Sequence, residues 1–113
     1  MSKIFYINSS EIKKLIPEMG GAIATDKIMV EGFKIGNAYR EYPRNEMDNG
    51  WRFFSGDETQ EYLDNSSNSG VYSMNTIANY DPAIIPYLHL PYGTELERVA
   101  NTDEFEVYLN ENQ

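Results

Sequence analysis

Cysteine is absent from the chain, and histidine occurs once, as His89. The first absence removes disulfides, thiolate nucleophiles and Cys-based zinc sites, and it suits a reducing compartment. The second leaves any Ser-His-Asp arrangement a single candidate base. That residue lies in Leu88-His89-Leu90-Pro91, and apolar neighbours after a proline-broken helix describe a packed or surface histidine rather than a general base. A zinc site would need three carboxylates, an unusual ligand set, so neither a metal nor a cofactor is expected. Long apolar runs are missing too. The opening Ile4-Phe5-Tyr6-Ile7 is only four residues long, which fits neither a signal-peptide core nor a membrane span, and a cytoplasmic location is expected.

The usual reaction motifs are equally scarce. No G-x-G-x-x-G, Walker loop or nucleophile elbow is present, so nucleotide handling and acyl transfer lack support. The loop Asn45-Glu46-Met47-Asp48-Asn49-Gly50 resembles a calcium loop on the surface only. Aligning Gly50 with that loop's glycine puts Met47 at a ligand position and Gly56 where a bidentate Glu belongs.

Basic residues run out half-way along the chain. Residues 1–52 carry eight Lys/Arg against seven Asp/Glu, whereas residues 53–113 carry one, Arg98, against eleven, and the formal net charge is −9. So acidic a half repels phosphate backbones and anionic lipid. Nucleic acid and membrane are therefore poor partners and a basic protein surface a good one, although acidic surfaces also keep small proteins soluble.

What is present is apolar and ring surface. Hydrophobic residues make up 41% of the 113, with nine Tyr and five Phe, far too much for a disordered tail and enough for one core. The pattern predicts a single α+β domain spanning 1–113, with a central, mostly antiparallel sheet and short helices packed on one face. Lys3 to Ile7 reads as a short strand or an extended arm. Ser9 or Ser10 can cap a helix over Glu11 to Ile16, which Pro17 stops. Ala22-Ile23-Ala24 reads as a strand, followed by one helical turn carrying Ile28, Met29 and Val30.

Lys34 to Glu41 and Trp51 to Ser55 are predicted to pair antiparallel at the sheet centre around a polar loop, with Asn49-Gly50 as the turn at its end. Asp57, three residues before Gln60, is the expected cap of a helix over Glu58 to Asp64 with Tyr62 and Leu63 on its buried side. Val71 to Met74 is a further strand, which Asn75 to Asn79 continues or bends. Asp81-Pro82 opens a short helix with Ile84 and Ile85 inward. Thr94 to Val99 and Glu104 to Tyr108 form a terminal hairpin turning at Asn101-Thr102-Asp103. Its apolar face is Leu96, Phe105 and Val107, and Glu95, Glu97, Glu104 and Glu106 face solvent. Phe53, Ile77 and Ile84 are expected in the core.

Two sets of acids deserve chemical weighing. Asp57, Glu58 and Glu61, and separately Glu41, Glu46 and Asp48, could converge on a cleft for acid/base work; a helix cap and a solvated face explain the first set more simply. Trp51, between strand aromatics, is core or else an exposed anchor.

Three blocks together resemble the bacterial immunity protein 33 family: Tyr39-Arg40-Glu41; Gly50-Trp51-Arg52-Phe53-Phe54-Ser55-Gly56-Asp57-Glu58; and Asn75-Thr76-Ile77-Ala78-Asn79-Tyr80-Asp81-Pro82 with Ile84-Ile85-Pro86-Tyr87-Leu88. The resemblance spans roughly Gly20 to Arg98. It implies a protein of polymorphic toxin systems that binds and neutralises a cognate toxin in the cytoplasm of the producing cell, and it carries over no catalytic residue. On that reading the partner is a basic toxin, and the binding surface is an acidic side built from Glu41, Glu46, Asp48, Asp57, Glu58 and Glu61, with Trp51 or Tyr42 as aromatic anchor; the acidic C-terminal hairpin from Glu95 to Glu106 is the next candidate. The competing readings are a carboxylate-dependent hydrolase and an interaction module that meets no toxin.

Overall fold

A computed structural model describes residues 3–109. Its centre is one six-stranded mixed sheet in the order β4-β1-β3-β2-β5-β6. The strands are β1 (Gly21–Thr25), β2 (Asn37–Arg40), β3 (Asp48–Phe54), β4 (Ser69–Ser73), β5 (Thr94–Arg98) and β6 (Phe105–Leu109). Only β1 and β3 run parallel; every other neighbouring pair is antiparallel. The expected pairing of β2 with β3 is present at the centre, and β5 and β6 form the expected terminal hairpin.

Three short helices complete the fold: α1 (Asp26–Met29), α2 (Gln60–Asp64) and α3 (Met74–Tyr80), with a 3-10 segment at Pro82–Tyr87. Alternation along each strand decides what they cover. Ala22 and Ala24 on β1, Ala38 on β2, Trp51 and Phe53 on β3 and Leu96 on β5 all point to one face, where Ile28, Met29, Met74, Ile77 and Ile84 close over them. Phe53, Ile77 and Ile84 are core residues as expected. Trp51 and Phe53 stack with ring centroids 5.7 Å apart. The three alanines keep the sheet surface low, so α1 and α3 can sit close against it.

Several local expectations fail, each for a physical reason. Glu11 to Ile16 is not a helix; after a 3-10 turn at Ser9–Glu11 the chain is extended. Asn75 and Asn79, one turn apart on α3, bind its backbone instead. Their Oδ1 atoms accept from the N–H groups of Lys13, Leu15 and Ile16, and their Nδ2 atoms donate to the Lys13 carbonyl. Residues 75–79 are themselves helix, not strand. Met74, Ile77 and Ala78 are buried at helical spacing, and Ser73 caps the start by accepting from Thr76 N.

Thr59, not Asp57, caps α2, because the Glu58 side chain turns inward. Asn49-Gly50 lies inside β3 rather than at a turn. Gly21 stands opposite Asp48 and Ile23 opposite Arg52, so β3 spends two more residues than β1 between those points. Gly50 takes up the resulting bulge at φ 90°, where a Cβ would stand 2.1 Å from the Glu41 carbonyl oxygen. Lys3 to Ile7 is an arm, tied by Lys3 to Asp26 and by Tyr6 N to the Met29 carbonyl. Val107, expected on the apolar face, is 43% exposed because β6 is an edge strand.

Candidate functional site

The second face of the sheet is left open by α1 and α3, and α2 comes to it at one side, where Leu63 borders the same cavity as Tyr39 and Phe54. Cross-strand register lines up one residue from each strand on it: Val71, Ile23, Arg52, Tyr39, Glu95 and Tyr108, from β4 to β6. At about 4.8 Å per strand this row is about 24 Å long. Beside it, Phe54, Asn37, Glu97 and Glu106 form a shorter second row. Tyr39 stacks on Phe54 with centroids 5.7 Å apart. Of the first row, Val71, Tyr39, Glu95 and Tyr108 are exposed and Ile23 is half-buried.

Arg52 is the exception. Its residue exposure is 2%, although it points to the uncovered face. Asp48 grips the guanidinium with both oxygens, Nη1 to Oδ1 at 2.8 Å and Nη2 to Oδ2 at 2.7 Å, while Nε donates to Glu41 Oε2 at 2.7 Å. A forked pair of this kind is the strong form of ionic hydrogen bond. The bond to Arg52, helped by the N–H groups of Arg44 and Gly50, holds the Asp48 carboxyl well below the usual carboxylate range. In return Asp48, then Glu41, raise Arg52 further above its ordinary value against the opposing effect of burial. The buried cation is thus neutralised locally.

Three of the acids expected on the surface have intramolecular partners. Glu41 and Asp48 are bound to Arg52, and Glu58 is turned inward to accept from Thr25 Oγ1 and from the N–H groups of Ser55 and Gly56. Burial pushes the Glu58 carboxyl up, but those hydrogen bonds outweigh it and leave it lowered. Trp51 is fully buried, with Nε1 donating to the Leu88 carbonyl at 3.1 Å, so it is no surface anchor. Glu46, Asp57 and Glu61 are exposed. Glu46 precedes the seven-residue β3 and Asp57 follows it, at opposite ends of a strand of about 20 Å. Tyr42 is 61% exposed and lies against Tyr92, with centroids 5.2 Å apart. Arg40 sits between the Trp51 and Tyr92 rings, where burial lowers its pKa, and donates to the carbonyls of Asn49 and Leu90, fixing the 88–92 segment to the sheet.

The uncovered face is flanked by cavities. One of about 600 Å³ lies between the 44–48 loop and β4 and is lined by Ile23, Met47, Val71 and Asp48 among others. One of about 300 Å³ is bounded by Tyr39, Phe54, Glu58 and Leu63. A third, of about 500 Å³, lies away from this face between the N-terminal arm and α3; it is lined mainly by rings and aliphatic chains. His89 is exposed, and among the described residues no three His, Asp or Glu side chains are grouped to hold a metal ion.

Tyr39 and Tyr108 were not in the expected surface, and Glu95, Glu97 and Glu106 belong to the terminal hairpin, the next candidate after it. Their outward direction is legible in the alternation of Thr94-Glu95-Leu96-Glu97 and of Phe105 to Tyr108. That β5 lies beside β2, so that Tyr39 and Glu95 share a row, is a matter of strand order.

In comparison with protein-family profiles, residues 22–108 match the Immunity protein Imm33 domain. Comparison with curated proteins and with solved structures returns no match.

Proposed function

The chain belongs to the Imm33 immunity protein domain family, and from that premise we propose that it binds and neutralises a cognate bacterial toxin in the cytoplasm through an acidic protein-binding surface. The observation that carries the reading is the uncovered sheet face. It presents carboxylates and tyrosines, and the one cation at its centre is already neutralised by Asp48 and Glu41. A basic toxin surface complements it, and charge of this kind speeds association. Glu46 and Asp57, exposed at the two ends of β3, and Glu61, exposed on α2, add a smaller share of charge at the rim.

A non-enzymatic role is supported by how the carboxylates are used. Of the six acids weighed for acid/base work, Glu41 and Asp48 are bound to Arg52 and Glu58 to Thr25 and two backbone N–H groups, while Glu46, Asp57 and Glu61 are exposed. The test uses the purified toxin domain encoded by the adjoining gene, in active and inactivated forms. The expected results are a one-to-one complex with the inactivated form and complete loss of activity of the active form at equimolar protein. Full toxin activity in the presence of excess protein would sink the proposal.

A further inference from the structure

We propose that the docking surface is the uncovered face of the sheet and that its occupant is a protein with a two-part footprint: a Lys/Arg cluster over β5 and β6, and an apolar side chain about 20 Å away that enters the cavity beside Val71 and Met47. This rests on the toxin-binding reading and deepens it by naming the face and the partner's chemistry.

The face is divided along its length. At the β5–β6 end, Glu97 stands directly opposite Glu106, and Glu95 opposite Tyr108, whose hydroxyl donates to Glu106. Like charges directly opposite on neighbouring strands destabilise a sheet. Among the described residues Glu95, Glu97 and Glu106 have no ion-pair partner, and Arg98, the one basic residue after Arg52, is turned onto Asp81 and Asp103. The fold gains nothing from this placement, and a cationic partner relieves it. Tyr39 and Tyr108, 38% and 49% exposed, stand in the same row as Glu95; such side chains offer contact area at low entropic cost and ring faces to Lys or Arg.

At the other end the character reverses. Val71 and Met47 are 73% and 72% exposed and border the cavity of about 600 Å³. An apolar group seated there would be covered by Ile23, Met47 and Val71 and would supply the desolvated contact that charge alone does not. Area argues that both ends are used. Six strands of about five residues outline a face of about 24 by 17 Å, or roughly 400 Å², whereas a stable interface takes about 800 Å² from each partner. Even the whole face supplies only about half of that, so a partner must span both ends and reach onto the loops that flank them. A second copy is the poorer occupant, because it brings a net charge of −9 to a face that is already anionic.

The experiment compares association and dissociation rates of the inactivated neighbour-encoded toxin domain with wild type and three variants. Glu95→Lys/Glu97→Lys/Glu106→Lys should slow association about tenfold at low salt, and Met47→Glu/Val71→Glu should speed dissociation about tenfold. Glu46→Lys/Asp57→Lys/Glu61→Lys has the same net charge as the first variant but lies at the ends of β3 and on α2, and it should change either rate by less than threefold. Glu97→Lys alone should weaken binding while raising the thermal midpoint, because it sets opposite charges across β5 and β6; a merely structural role for Glu97 cannot produce that combination. Equal losses for the two charge-reversal triples would overturn the inference in favour of diffuse steering. Wild-type mass that doubles with concentration, and does so no longer in the first triple, would overturn it in favour of self-association. Absence of any complex with wild type would instead remove the toxin-binding reading beneath it.

Discussion

Replacing Asp48 with Asn leaves a nearly buried guanidinium with half of its countercharge. In the native protein Arg52 donates twice to Asp48, at 2.7 and 2.8 Å, and once to Glu41 at 2.7 Å. The Arg52 side chain is 3% exposed, Asp48 11% and Glu41 35%. Breaking a fully buried pair by removing one partner costs about 3–5 kcal/mol. Glu41 remains after the substitution and is the more solvated of the two acids, so the expected loss is smaller, about 2–3 kcal/mol. Urea unfolding of wild type and variant at pH 7 measures it.

The acid limb supplies an independent check. Asp48 has its pKa depressed in the folded protein, so its contribution is fully present above the unfolded value of about 3.9 and is lost as pH falls through the folded one. Between those two values the gap between wild type and Asp48→Asn should narrow by about 1.4 kcal/mol per pH unit. A gap under about 0.5 kcal/mol at pH 7, or one that widens in acid, would refute the claim that this pair holds the floor of the face.

Two further substitutions probe the frame beneath it. Phe53→Ala removes a ring that is 1% exposed and stacked on Trp51, and should cost about 3–5 kcal/mol in chemical denaturation; a loss under about 1 kcal/mol would mean that the strand faces the other way. Gly50→Ala sets a Cβ 2.1 Å from the Glu41 carbonyl at a φ of 90° and should lower stability by more than about 1 kcal/mol, with the bulge that brings Asp48 to Arg52 disturbed. An unchanged midpoint for that variant would show that the bulge is not constrained as described.

The strands were legible where alternation is strong. Ala38-Tyr39-Arg40 and Trp51-Arg52-Phe53-Phe54 announce β2 and β3, and the terminal hairpin follows from acids alternating with Leu96 and Phe105. Helix α3 was hidden because Asn75, Thr76, Asn79 and Tyr80 are indifferent helix formers; only the spacing of Met74, Ile77 and Ala78 carries it. The Asn-Gly pair has the left-handed preference of a turn, and the same preference serves a bulge equally well.

The acids were visible but their engagements were not. Asp48 and Arg52 are four residues apart, a separation that puts both on one side of the strand whether or not they touch, and the bulge between them sets the approach. Glu58 looks like a solvated acid after a cap until the 55–56 backbone and Thr25 are seen to converge on it. The outward direction of Glu95, Glu97 and Tyr108 was predictable; their assembly with Tyr39 into one row depended on strand order, which local sequence does not encode.

Hydrogen exchange of the protein with and without the inactivated toxin domain tests the central claim most directly, because it reports which backbone segments the partner protects. Slowed exchange is expected in β5, β6, β2 and the 44–48 loop, with α3 and the 82–87 segment unchanged on the opposite side of the sheet. Protection confined to α3, the 82–87 segment and the N-terminal arm, with the uncovered face exchanging as in the free protein, would contradict it.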